Sequence, residues 1–103
     1  MWRGSLDSWS SLRCGKLTAR PGKRDALVAV LRRQAQELKA AGCEQYDVSP
    51  SRHDPDVVWV TEVWTSADAQ RASLGLPAVR RTVAAAASLL VDLEPAALAG
   101  VGG

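Results

Sequence analysis

Metal and thiol chemistry have little to work with in this chain. It carries one histidine in 103 residues and two cysteines, Cys14 and Cys43. The cysteines form no Cys-x-x-Cys pair, so neither a metal site nor a redox dithiol is expected, and nothing in the spacing supports a disulfide. Two buried free thiols in a reducing compartment is the reading that fits. No run of eighteen apolar residues occurs, so no membrane association by a spanning helix is expected. The first residues lack the apolar core of a secretory signal, and a cytoplasmic location follows as the expectation. Charge of one sign is missing too: thirteen Lys+Arg against eleven Asp+Glu leave a net charge of +2. The pairs Lys23-Arg24, Arg32-Arg33 and Arg80-Arg81 have no aromatic residues between them and read as solvated helix faces, so no nucleic-acid partner is expected. Glycine-rich nucleotide loops and serine-nucleophile motifs are also absent.

What is present is a strand of unusual composition. Asp56-Val57-Val58-Trp59-Val60-Thr61-Glu62-Val63-Trp64 is nearly all β-formers and stops at Thr65-Ser66-Ala67-Asp68, a helix start. Alternation puts Val58, Val60, Glu62 and Trp64 on one face and Val57, Trp59, Thr61 and Val63 on the other. Both faces are largely apolar, so both want cover. Glu62 is the odd member, a carboxylate on a face that otherwise favours burial.

Around this strand the chain reads as one domain. Residues 1–13 form an arm of uncertain order in which Trp2, Leu6, Trp9 and Leu12 show loose helical spacing. Residues 14–95 form the domain and 96–103 an Ala/Gly-rich flexible tail. Cys14 to Arg20 predicts a strand with Leu17 and Ala19 opposite Lys16 and Thr18. A helix follows from Lys23, with Leu27, Leu31 and Leu38 as its apolar stripe, Gln34 beside them and Arg24 outside. Gly42 ends it in the left-handed conformation. Cys43 to Ser49 predicts a strand carrying Tyr46 and Val48 on one face, and Pro50 to Pro55 a turn. After the long strand come a short helix capped by Thr65 or Ser66 and a second with Pro77 in its first turn and Val79, Val83 and Ala86 or Ala87 inward. A last strand spans Ser88 to Leu93. The order βαββαβ, its second helical segment split, is an α+β, ferredoxin-like split βαβ sandwich. Four strands with helices on one side leave the other side bare, and a homodimer through that open sheet face is the economical cover.

Three stretches resemble the antibiotic biosynthesis monooxygenase (ABM) domain family and its quinol monooxygenase-like subgroup: Lys16-Leu17-Thr18-Ala19-Arg20-Pro21-Gly22-Lys23-Arg24-Asp25-Ala26-Leu27, Gly42-Cys43-Glu44-Gln45-Tyr46, and Trp59-Val60-Thr61-Glu62-Val63-Trp64. Ala72-Ser73-Leu74-Gly75-Leu76-Pro77-Ala78-Val79 extends the similarity, which covers roughly residues 16 to 93. The resemblance implies a dimeric α+β barrel. It also implies oxidation of a small phenolic, hydroquinone or anthrone-type aromatic by molecular oxygen, with no cofactor (neither flavin, haem nor metal). Trp64 falls at the family's pocket tryptophan. The chain departs from the family in having Gln70 where the subgroup often has histidine, and Val60 where a polyketide oxygenase has asparagine. Both changes remove polar groups.

A cofactor-free oxygenase must hold an electron-rich phenol in an apolar pocket, take its proton and stabilise the anion. Trp64 and Glu62 are the candidate catalytic residues, an aromatic wall and a base. Tyr46, Val60, Gln70 and Arg80 are the candidates for substrate binding. The competing assignments are structural: Trp64 as a core plug, Glu62 paired with Arg71 or Arg80, Arg80 on the surface. His53, in a polar turn, reads as solvated. Two functions stay open, a monooxygenase and a non-catalytic dimeric module that binds a small apolar ligand or only itself. An enclosed pocket around Glu62 that disfavours its charged form points to the first, a filled helix–sheet interior to the second.

Overall fold

The computed structural model describes residues 12–95. Strand β1 (Leu12–Ala19) is followed by helices α1 (Arg24–Arg33) and α2 (Ala35–Ala40), strands β2 (Cys43–Pro50) and β3 (Val57–Trp64), helices α3 (Ala67–Ser73) and α4 (Pro77–Ala87), and strand β4 (Leu90–Pro95). The strands form one antiparallel sheet in the order β2-β3-β1-β4. This is the expected split βαβ arrangement, with helices packed on one face. Leu12 and Arg13, expected in the arm, are strand residues. The rest of that arm and the tail 96–103 lie outside the described residues.

The expected barrel is overturned. β2 and β4 are each hydrogen-bonded on one side only, so the sheet is open with two free edges. Barrel closure needs those edges paired to each other, and four strands, two of them lying between the edges, are too few to curl round and meet.

Residues paired across an antiparallel ladder share a face, so the register sorts the side chains. One face carries the rows Leu17–Val58–Pro50, Gly15–Val60–Val48 and Arg13–Glu62–Tyr46. Its Leu17, Val48, Val58 and Val60 pack with Leu27, Val28 and Leu31 of α1 and Ala86 of α4. The opposite face carries Lys16–Trp59–Ser49, Cys14–Thr61–Asp47 and Leu12–Val63–Gln45. Its apolar character is confined to the β3 column with Leu12 and is flanked by polar neighbours, so this face is less hydrophobic than β3 read alone. A register shift between Cys43 and Gln45 breaks the alternation and lets Cys43 face Trp64 across the ladder. Those two form a second cluster with Leu38 and Val79.

The helical punctuation follows the side-chain chemistry. The Ser66 hydroxyl accepts from the Ala69 N–H at 3.0 Å and caps α3, and Pro77 opens α4. The helix expected over residues 23–42 is instead two, meeting at Gln34, whose N–H turns to the Leu31 carbonyl at 3.3 Å. Arg24, expected outside, turns back to the Ser51 and Asp54 carbonyls, each at 2.9 Å, and ties α1 to the β2–β3 turn. The last strand starts two residues later than expected. No described helix is long and apolar enough to cross a membrane.

Gly42 joins α2 to β2 with φ +113, and a Cβ there would lie 2.9 Å from Thr65 Oγ1 and 3.3 Å from Ala69 Cβ. Both the backbone angle and the space exclude a side chain. Gly42→Ala is therefore expected to cost about 1–3 kcal/mol, read as a lower urea midpoint with unchanged slope.

Candidate functional site

The row Arg13–Glu62–Tyr46 brings a cation, a carboxylate and a phenol side by side on three neighbouring strands, under the helices. Two residues further along β3, on the same face, Trp64 turns its indole back so that Nε1 donates to Glu62 Oε1 at 2.8 Å. Trp64 is 1% exposed. One Glu62 oxygen is thus held by a buried ring while the carboxylate stays half-buried. Among the described residues the ion pairs are Lys16–Glu94 and Arg71–Asp68. Glu62 is in neither, so its expected structural pairing with Arg71 or Arg80 does not occur.

Above this row lies a cavity of about 380 Å³, bounded by Arg13, Gly15, Leu17, Tyr46, Val60 and Glu62 of the sheet, Leu31 and Gln34 of the α1–α2 segment, Thr82, Val83, Ala86 and Ala87 of α4, and Leu90 and Leu93 of β4, with Cys14 at its rim. The sequence explains the gap. α4 presents the small Ala86 to the sheet, with exposed Ala87 at the cavity's edge, and Gly15 contributes no side chain beneath them, so the space is left unfilled. Val83 was expected in the core, but it is 55% exposed, and Leu93 is 59% exposed. Both border the cavity, which accounts for two large aliphatic side chains left unpacked. The volume is within the range of small-molecule sites.

Tyr46 touches both core clusters and joins them. Gln34 Nε2 donates to its hydroxyl at 2.9 Å. Burial pushes the Tyr46 phenol up to about 12 from its ordinary 10; nearby Glu62 and Cys43 add to the rise, and the hydrogen bond from Gln34 opposes it. Tyr46 therefore stays a neutral O–H donor at any working pH. Burial, then Glu62, likewise raises the Cys43 thiol, whose S–H donates to the Gln45 carbonyl at 3.1 Å. Tyr46 is the chain's one tyrosine, so tyrosinate absorbance reports it alone. The folded protein is expected to titrate near 12, and the urea-unfolded chain near the ordinary ~10. Because the folded value is raised, the native state holds the proton longer. Its contribution to stability is complete below about pH 10 and is lost as pH rises through the folded value. A folded-state midpoint near 10 would contradict the burial described here.

Of the residues expected from sequence, Tyr46, Val60 and Glu62 border the cavity and Trp64 holds Glu62 from behind. Gln70 is buried in α3 and Arg80 is exposed on α4; neither borders the cavity. His53 is exposed in its turn, its N–H on the Ser51 hydroxyl at 3.1 Å. Among the described residues no three His, Cys, Asp or Glu side chains group to hold a metal. Arg13 and Gln34 are additions. Gln34 had a signal, since Leu27, Leu31, Gln34 and Leu38 follow a 4-3-4 spacing and a polar residue occupies a core position of that stripe. Arg13 had none, because its place opposite Glu62 depends on register.

The family model for antibiotic biosynthesis monooxygenase matches residues 13–85. Among solved structures, a candidate antibiotic biosynthesis monooxygenase from Chloroflexus aurantiacus J-10-fl is 39% identical over 82% of this chain and 88% of its own, with a TM-score of 0.72. A second such candidate, from Deinococcus radiodurans, is 29% identical over 82% of this chain and 86% of its own, with a TM-score of 0.73. A third, from Nitrosomonas europaea, keeps the fold at 13% identity, with a TM-score of 0.76 over 82% of this chain and 84% of its own. No curated protein matches the chain.

Proposed function

Since the chain belongs to the antibiotic biosynthesis monooxygenase family, we propose that it oxidises a small phenolic, hydroquinone or anthrone-type aromatic with molecular oxygen and without a resident cofactor. The observation that carries this reading is the placement of Glu62, a carboxylate oriented by the Trp64 indole at the wall of a largely aliphatic cavity of about 380 Å³. An aromatic ring lies against Val60, Leu17 and Val83, with its acidic hydrogen toward the Glu62 oxygen that Trp64 leaves free. Glu62 takes that proton. The anion that forms is met by the neutral Tyr46 O–H and by the Arg13 guanidinium across the ladder, both on the same row as the base. The electron-rich anion then reacts with oxygen. One oxygen atom ends in the product and the other in water, with all four electrons supplied by the substrate. Gln70 and Arg80 have no part in this scheme.

A homodimer through the open sheet face accompanies this proposal. Trp59 is 38% exposed on that face, in line along β3 with Thr61 and then Val63, and sedimentation should show twice the monomer mass.

The test is oxygen uptake by purified, exhaustively chelated protein offered a panel of hydroquinones and anthrones. Turnover above autoxidation that survives chelation supports the proposal. A folded protein that binds these aromatics but consumes no oxygen would instead be a ligand-binding module, the reading favoured by the aliphatic Val60 and by the absence of Gln70 from the cavity wall.

A further inference from the structure

Strand β1 holds one glycine, Gly15, and no other described strand holds any. Glycine is a poor choice inside a strand, because it loses the most chain entropy on folding and leaves a gap in the side-chain layer. The ordinary reasons for it are missing here. The backbone has no positive φ at Gly15, unlike Gly22 and Gly42. β1 pairs with β3 in unbroken register from Leu12 to Thr18, and the one shift toward β4 falls between Thr18 and Ala19, so Gly15 marks no bulge. Nor does a neighbour need the space. A Cβ at position 15 would meet Leu17 Cδ1 at 3.6 Å, and the Glu94 carbonyl oxygen and Leu93 Cδ1 at 3.9 Å each, all ordinary contacts. That Cβ would point to the helix-covered face, beside Val60 across the ladder, at the floor of the Glu62 cavity. A strand glycine with no backbone or packing cause marks close approach by something else.

We infer that Gly15 is a specificity-determining residue: its bare backbone is the floor under the far end of a flat ligand, and the absent side chain sets how long that ligand can be. This deepens the reading of the cavity given above and rests on it. The rows Arg13–Glu62–Tyr46 and Gly15–Val60–Val48 are neighbours on one face. Such rows lie about 7 Å apart, two residues of strand rise. A phenol with its hydroxyl at Glu62 keeps its single ring over the first row and the gap beside it. A second fused ring, extended away from the hydroxyl, continues along β1 and β3 to the next row and lies on Gly15. A side chain at position 15 therefore meets the second ring and not the first.

Calorimetry under argon, with phenol and 2-naphthol as probes, reads binding without turnover. Gly15→Ala is expected to weaken 2-naphthol at least about tenfold, as for an extra carbon forced into an occupied place, and to leave phenol within about threefold. Gly15→Val should extend the loss for 2-naphthol. Loss of fold does not explain such a result, because Gly15→Ala should raise the melting temperature by about 2–8 °C, the gain from replacing a strand glycine. Gly75→Ala is the control. Its Cβ would meet only the Ala72 carbonyl oxygen, at 3.6 Å, away from the cavity, and both affinities should stay as in wild type. Unchanged 2-naphthol affinity in Gly15→Ala overturns the inference, as does an equal loss for both probes, or a similar loss in Gly75→Ala. A wild-type protein that binds neither probe overturns it together with the reading of the cavity as a ligand site. The inference and the oxygenase fail separately: oxygen uptake with no size-graded loss at position 15 refutes only the inference, and graded loss without uptake refutes only the oxygenase.

Discussion

Glu62→Gln is expected to lower kcat/KM for oxygen-dependent turnover by about 10²–10⁴, the usual contribution of a positioned general base, while leaving ligand affinity within a factor of a few and the melting temperature nearly unchanged. The substitution keeps the shape of the site and removes one property. Glutamine is the same size and retains an oxygen to accept from Trp64 Nε1, so the 2.8 Å link from the indole and the cavity wall survive. What is lost is the capacity to take a proton. Steady-state kinetics by oxygen electrode, with calorimetry of the same preparation, resolves the two quantities. If the variant turns over within threefold of wild type while binding normally, Glu62 is not the base. The next candidate acceptors at that wall, Tyr46 and Gln34, are both neutral, so the proton would have to leave directly to water. Parallel loss of binding and turnover would instead make Glu62 a binding residue.

Periodicity along one element encodes which face a side chain takes, and not what lies opposite it. Alternation along β3 was enough to set Val58, Val60, Glu62 and Trp64 on one face, and the structure buries all but Glu62 there. Pro77, Gly42 and Ser66 act locally, so their turns and caps were legible from the residue and its neighbours. The row Arg13–Glu62–Tyr46 was not. It depends on which residue of β1 and which of β2 lie opposite Glu62, a register set by three strands together. The cavity was also hidden. Val83 satisfies a helical stripe whether or not anything packs against it, and the gap beneath it arises from the combined smallness of Gly15, Ala86 and Ala87 on elements distant in sequence. Resemblance led to a barrel and to Gln70 as a pocket residue. The open sheet corrects the first, and α3 holds Gln70 away from the cavity. Family position is thus a weaker guide to a side chain's surroundings than the register is.

Trp64 separates stability from catalysis, and two substitutions together show which role dominates. Trp64→Ala removes a ring buried among Leu38, Cys43 and Val79 and is expected to cost about 3–5 kcal/mol, a large share of the ~5–15 kcal/mol that typically holds a domain together. That variant reports packing and says little of chemistry. Trp64→Phe keeps most of the apolar volume but removes the N–H that orients Glu62. Its expected cost is smaller, about 1–3 kcal/mol, because one carboxylate oxygen loses its donor in a half-buried place. The decisive readout is kinetic. A positioning role predicts that the phenylalanine variant loses kcat at least tenfold with KM nearly constant, since a base free to rotate is misplaced in the transition state while the cavity still accepts the ring. A core plug predicts the opposite, a lower unfolding midpoint with kcat intact wherever the protein is folded. Trp64 sits behind Glu62 and does not border the cavity, so it is not expected to touch substrate. A rise in KM at constant kcat would therefore contradict both roles and place the indole in the site itself.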